Sequence, residues 1–264
     1  MKIKVLVLFL MTIAFVSCKE NEEEQGAFRD GVFVVNQGPF GSGSGSLTFL
    51  DADGSAPIAN VFADANSGRA LGNIVQSMEE FEGNKFIAIN NGSTIIVAQD
   101  GTLEFVDSIT GIDQPRYFTT DNDKLFVSSW GIDGTSGVVY ELSEDGEILQ
   151  SNALGSGPEG MVIADGNLYV AQGGGFGIDS MLVILDADDL SLVTELTVGL
   201  NPEQVIERDN GDILVLSNGL SDFYFPENSR PGALSLVRDD AVVASVEIPV
   251  GSSRLAYDLS LIHI

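Results

Sequence analysis

Carboxylates are the one chemically reactive group that this sequence offers in number. Its 264 residues hold 39 Asp and Glu against a single histidine, His263, and a single cysteine, Cys18. Acid–base work near neutral pH most often falls to histidine, and the only one here sits in the last residues. Without a second cysteine, neither an intramolecular disulfide nor a Cys-ligated zinc site can form within the chain. No Gly-x-Ser-x-Gly elbow or glycine-rich phosphate loop precedes a helical pattern, and Gly41 to Ser46 reads as a flexible loop. Two carboxylates could hydrolyse a glycoside or a lactone, but no spacing singles out a pair. The acidic turns Asp51 to Gly54, Glu144 to Gly146 and Asp186 to Asp189 fit hairpins, and they carry too few alternating oxygens for calcium. The expectation is therefore no enzyme, no cofactor and no metal.

Recognition chemistry is better represented. Gln76, Arg116, Tyr117, Glu159, Glu203 and Arg254 each follow a recurring glycine at short distance, while Asn36, Asn90, Asn91, Trp130, Gln172 and Tyr224 stand in polar loops. Amides bond to polar ligand edges and aromatic faces cover apolar area, so these twelve are the candidate ligand-binding residues. A structural reading stands beside that one: Arg116 or Arg254 pairs with Glu159 or Glu203, and Trp130 packs within the fold. The formal net charge of −27 disfavours phosphate backbones and anionic lipid surfaces, which excludes nucleic acid as an expected partner.

A repeat positions these residues. A glycine closing an apolar strand recurs at Gly72, Gly111, Gly155, Gly199 and Gly251, at intervals of 39, 44, 44 and 52 residues. Three of these glycines lead within three or four residues to Pro115, Pro158 and Pro202. A strand follows, then a turn, then a second apolar strand such as 86–89, 125–127, 168–171 or 213–216. Met181 to Asp186 and Leu190 to Val198 show the third and fourth strands around an acidic turn. Val, Ile, Leu and aromatic residues dominate, and no helical period is sustained. Four short strands per unit of about 40–50 residues predict an all-β fold, a β-propeller of four-stranded blades. Five to six blades are expected here, beginning at the second strand of the first. The repeat glycines and the loops between second and third strands should share one face, and the 52-residue unit lengthens a loop there, at Phe223-Tyr224-Phe225.

The unit from Gly155 to Gly199, with Gly-x-x-Pro-Glu-Gly-Met, Gly-Asn-Leu-Tyr-Val-Ala and Leu-Val-Ile-Leu-Asp, resembles the YncE-like seven-bladed propellers. That resemblance implies seven blades and roughly 80 further residues. Residues 1–17 read as a signal peptide, with Lys2 and Lys4 before the apolar run Val5 to Val16. Phe15-Val16-Ser17-Cys18 resembles a bacterial lipobox, which makes Cys18 the expected lipidation site and residues 18–30 a flexible tether. The propeller then spans 31–258, and 259–264 break the repeat and read as a non-native tail. Gly31 to Gly38 behind such a lipobox is similar to the surface lipoprotein propellers of Bacteroidetes. This resemblance implies an outer-membrane, cell-surface location, attachment to the membrane by the lipid alone, and a captured small ligand. A cobalamin-like corrinoid passed to an outer-membrane transporter is the implied case, and a protein or glycan interaction module is the alternative.

Overall fold

The structure, a computed structural model, describes residues 27–256 apart from 53 and 55. The expected signal peptide, Cys18, most of the tether and the C-terminal tail lie outside the described residues. Among the described residues, nineteen strands form five antiparallel sheets. The first contains β1 (Gly31–Asn36), β2 (Ser46–Asp51) and β3 (Ile58–Ala59), followed by a five-residue helix, α1 (Val61–Ala65). Four four-stranded sheets follow in strict chain order. They are β4 (Val75–Phe81), β5 (Asn84–Ile89), β6 (Thr94–Gln99) and β7 (Phe105–Thr110); then β8 (Pro115–Asp121), β9 (Lys124–Ser129), β10 (Val138–Leu142) and β11 (Ile148–Ala153). The fourth holds β12 (Pro158–Ala164), β13 (Asn167–Gln172), β14 (Met181–Asp186) and β15 (Leu192–Thr197), and the fifth β16 (Pro202–Glu207), β17 (Ile213–Ser217), β18 (Gly232–Arg238) and β19 (Ala241–Ile248). The chain is a β-propeller of up-and-down blades, with first strands β4, β8, β12 and β16 packed side by side.

Why the second and third strands read as unbroken apolar runs follows from this packing. Both faces of an inner sheet meet a neighbouring sheet, so alternate residues feed two different cores. In β5, Phe86 and Ala88 enter the core shared with the third sheet, while Ile87 and Ile89 enter the core shared with the first. In β9, Leu125 and Val127 face the second sheet and Phe126 faces the fourth. Four such cores join five sheets. The outermost strands β11 and β15 have one solvated face, and from their second residue on exposed and half-buried positions alternate, whereas β19 is exposed along nearly its whole length. The blade-opening hairpins use residues with positive φ, Glu82-Gly83 and Asp165-Gly166, whose twist suits adjacent strands.

The first and last sheets differ from the inner ones. Val32 and Val34 in β1 are exposed, and Leu214, Leu234 and Leu236 in the fifth sheet are only half-buried. No pair of strands from these two sheets packs together as the adjacent sheets do, among the described residues. α1 fits the first core by burying Val61 and Phe62 beside Leu47 and Phe49.

Candidate functional site: the mouth of the central channel

In each four-stranded sheet the first strand begins where the second ends. Val75 pairs with Ile89, Pro115 with Ser129, Pro158 with Gln172 and Pro202 with Ser217. Immediately after that pair, the register shifts in all four sheets. A bulge here turns the next side chain out of the regular pleat. The residues so turned are Gln76, Arg116, Glu159 and Glu203, equivalent positions on successive first strands.

Arg116 joins three of them. Its Nε and Nη2 donate to the two carboxylate oxygens of Glu159 at 2.9 and 3.1 Å, and its Nη1 donates to Gln76 Oε1 at 2.8 Å. Gln76 Nε2 in turn donates to the Tyr117 hydroxyl at 2.9 Å, and Gln37 Nε2 donates to Gln76 Oε1 at 3.2 Å. The guanidinium lies 4.2 Å from the centroid of the Trp130 ring, a cation–π contact. Trp130 Nε1 is buried and close enough to Glu159 to favour its carboxylate, yet it makes no hydrogen bond. Phe176 meets the indole edge-on at 5.4 Å. The strands beneath are tied by hydroxyls: Ser77 donates to Arg116 O at 2.6 Å and Ser128 to Glu159 O at 2.7 Å.

Glu203 belongs to a second group. It accepts from Arg254 at 3.2 Å and from Asn218 Nδ2. Between the groups lies a cavity of about 260 Å³ lined by Tyr117, Phe118, Met161, Glu203, Gln204 and Arg254. Burial pushes the Glu159 carboxyl up to about 7 against the pull of Arg116, with the charge of Glu203 adding to the rise. Burial likewise raises the Tyr117 hydroxyl, which stays protonated and able to donate.

The structure thus brings together Gln76, Arg116, Tyr117, Trp130 and Glu159, and places Glu203 and Arg254 across the cavity. Both arginine–glutamate pairs weighed from the sequence are present. The other candidates are spent on the scaffold or stand apart. Asn36 donates to Ser46 and Thr48 hydroxyls, Asn90 to Pro115 O, and Gln172 to Asp179. Asn91 is exposed on its turn, and Tyr224 is exposed on the long loop, where its ring meets that of Phe223. Gln37 and Asn218 were not among the candidates from the sequence, because each reaches Gln76 or Glu203 only once the strands are folded together, and Gln204 joins the cavity lining beside Glu203.

The family model described as a domain of unknown function, DUF5074, matches residues 30–220. The chain belongs to the DUF5074 family. Those residues cover the first four blades, the first two strands of the fifth and the start of the long loop, so the Arg116 cluster lies inside the DUF5074 region. No curated protein matches this sequence. Among solved structures, a quinonprotein alcohol dehydrogenase-like protein from Bacteroides thetaiotaomicron is similar at 10% identity and a TM-score of 0.57, covering 87% of this chain and 53% of its own. A protein of unknown function from Bacteroides caccae is similar at 12% identity and 0.53, covering 83% and 73%. Hydrazine synthase of Kuenenia stuttgartiensis is similar at 16% identity and 0.53, covering 63% and 46%. The DUF5074 chain spans about half the length of the first and third of these. At such identities the likeness is one of fold.

Proposed function

We propose that this DUF5074 protein is a surface-tethered binding propeller whose ligand face is the channel mouth. The observation that supports this most is the convergence of Gln76, Arg116, Tyr117, Trp130 and Glu159, from three blades, beside a cavity edged by Glu203 and Arg254. Four register shifts at equivalent positions aim these groups, and such bulges are features that re-aim side chains rather than defects. A rigid cluster with a few polar valences left over suits orientation of a bound molecule. Tyr117, Gln204 and Arg254 line the cavity and carry hydroxyl, amide and guanidinium donors.

The role is capture, not catalysis. In the finer form of the reading, Cys18 carries the lipid, the outer membrane holds the protein at the cell surface, and the ligand is a corrinoid handed to a transporter. Cys18→Ser is expected to move the protein from the membrane fraction to the soluble fraction, and persistence in membranes would overturn the tether. Calorimetry with cyanocobalamin on the wild-type protein is expected to give saturable heat that Tyr117→Phe weakens. Absence of heat would sink the corrinoid and leave the binding role to other ligands.

A further inference from the structure

Three asparagines of this chain are each followed by glycine: Asn91, Asn210 and Asn218. Such a pair carries its own chemistry in water. The glycine nitrogen, once it has given its proton to hydroxide, can attack Cγ of the asparagine before it, because no Cβ stands in the path. The bond from Cγ to Nδ2 breaks, ammonia leaves, and a five-membered succinimide joins the two residues. Water then opens that ring at either of its carbonyls. One opening leaves an ordinary aspartate, and the other leaves isoaspartate, whose backbone runs through Cβ and Cγ and is one methylene longer. Either way a neutral amide has become a negative charge.

The fold treats the three pairs differently. Attack needs an amide that can rotate and a glycine nitrogen that can leave its partner. At Asn210 both are tied, since Nδ2 donates to Asp212 Oδ2 at 2.9 Å, Oδ1 accepts from Asp212 N at 3.3 Å, and Gly211 N donates to Arg208 O at 2.8 Å. The Asp212 carboxylate alongside also repels the anion that the glycine nitrogen must become. Asn218 is held as closely, with Nδ2 donating to Glu203 and Gly219 N donating to Leu200 O at 2.9 Å. Gly219 is buried besides, away from the hydroxide that the first step consumes.

Asn91 stands apart. It and Gly92 are both exposed, and among the described residues nothing holds the Asn91 side chain. The pair sits in a single turn of 3-10 helix, Asn90–Gly92, whose hydrogen-bond geometry is the poorer kind. Ser93 follows with a φ of 44°, in the left-handed region that residues with a Cβ rarely enter. Little opposes a local opening that brings the Gly92 nitrogen onto Cγ. The ends of the turn, by contrast, are pinned. Asn90 N donates to Ile74 O at 2.9 Å and Asn90 Nδ2 to Pro115 O at 3.3 Å, while Ser93 Oγ accepts from Gln114 N at 3.2 Å. Gln114 and Pro115 lead directly into Arg116. An isoaspartate at 91 adds a methylene between two fixed points, and the strand that carries Arg116 must take up the extra length.

We propose that Asn91 is a modification site, converted by water to aspartate and isoaspartate ahead of Asn210 and Asn218, and that the isoaspartate displaces the entry to Arg116. This stands whatever ligand the channel mouth takes. The test is ageing of the full chain in mildly alkaline buffer at physiological temperature, with digestion and fragment-ion mass spectrometry at intervals. Isoaspartate is counted by methyl transfer from S-adenosylmethionine with an isoaspartyl methyltransferase. The Asn91 peptide is expected to gain the mass difference between an amide and an acid about tenfold faster than the other two sites. In guanidinium chloride, where no turn or partner survives, the three are expected to convert at similar rates. Ageing is also expected to shift the emission of Trp130, which lies against the Arg116 guanidinium. Freshly prepared Asn91→Asp, which has the new charge without the added methylene, is expected to leave that emission unchanged. Conversion at Asn210 or Asn218 that keeps pace with Asn91 in the folded protein overturns the site, as does a failure of Asn91 to convert. An emission shift shared by Asn91→Asp, or absent from the aged protein, overturns the link to Arg116. None of those results bears on cyanocobalamin heat or on membrane release by Cys18→Ser.

Discussion

Arg116→Met is expected to destabilise the fold by about 3–5 kcal/mol above pH 7 and by far less near pH 5. The wild-type pair already shows why pH matters. Burial raises the Glu159 carboxyl from 4.5 to about 7 in the folded protein. Between those values the folded state keeps a proton that the unfolded chain has released, so this group makes stability fall as pH rises through that window. Above pH 7 the wild-type contribution levels off, because Arg116 receives the carboxylate. Without the guanidinium, the folded protein must bury a bare charge or hold its proton against rising pH, and the decline continues. Below about pH 4.5 both states are protonated, and the loss is confined to the hydrogen bonds of Arg116 to Gln76 and to a neutral Glu159 and its contact with Trp130. Urea titrations from pH 4.5 to 8.5 on wild type, Arg116→Met and the double variant with Glu159→Gln will read this directly. The double variant is expected to lose the excess decline, since its amide has no charge to bury. A variant whose deficit is the same at every pH would show that Arg116 serves packing alone. The remaining carboxylates form a background common to all three proteins.

The architecture was legible because one physical cause wrote it into the chain repeatedly. A second strand packed between two sheets must be apolar at every position, which 86–89, 125–127 and 168–171 are. The hairpins demand positive φ, which brings Gly83 and Gly166 to regular places. The channel-mouth residues were legible for a related reason: a position four or five residues after each repeat glycine is equivalent in every four-stranded blade. Which of them touch was not, because Gln76, Arg116 and Glu159 lie about 40 residues apart in the chain and meet only across sheets. The bulges that aim them have no marker beyond the prolines, and Val75 opens its strand without one. The separation of site from scaffold also needed coordinates, since Asn36, Asn90 and Gln172 have the composition of ligand contacts and spend it on the protein's own oxygens. Phe176 escaped notice for the opposite reason. A single aromatic in a glycine-rich loop looks like filler until its ring is seen against Trp130.

Gly157→Ala is the second large effect, and it tests whether the binding face depends on backbone contact between blades. A methyl group at Gly157 would stand 1.9 Å from Gly175 N, and one at Gly175 would stand 2.2 Å from Gly134 O. Three loops from two neighbouring sheets therefore meet through glycines, with Gly173 N donating to Gly157 O and Gly174 N to Ser156 O at 2.9 and 3.0 Å. Gly157 also has a φ of +58°. The methyl cannot be relieved by a side-chain rotation, because the atoms it meets are backbone. Overpacking of this kind costs about 1–3 kcal/mol, and the left-handed backbone adds roughly 1–2 kcal/mol for a residue with a Cβ. Gly166→Ala isolates the second contribution: its φ is +76° and nothing lies within 4 Å of the added carbon. Gly157→Ala is expected to lower the melting temperature more than Gly166→Ala does. It is also expected to shift the emission of Trp130, the chain's one tryptophan, because Phe176 rides on the loop that must move. Equal melting temperatures would mean that the loops part without resistance. A spectral shift shared by Gly166→Ala, on the opposite face, would mean that Trp130 reports general loosening. If only Gly157→Ala moves both readouts, the rings on this face are held by the glycine contacts between blades, and loop packing is the property through which ligand binding there can be tuned.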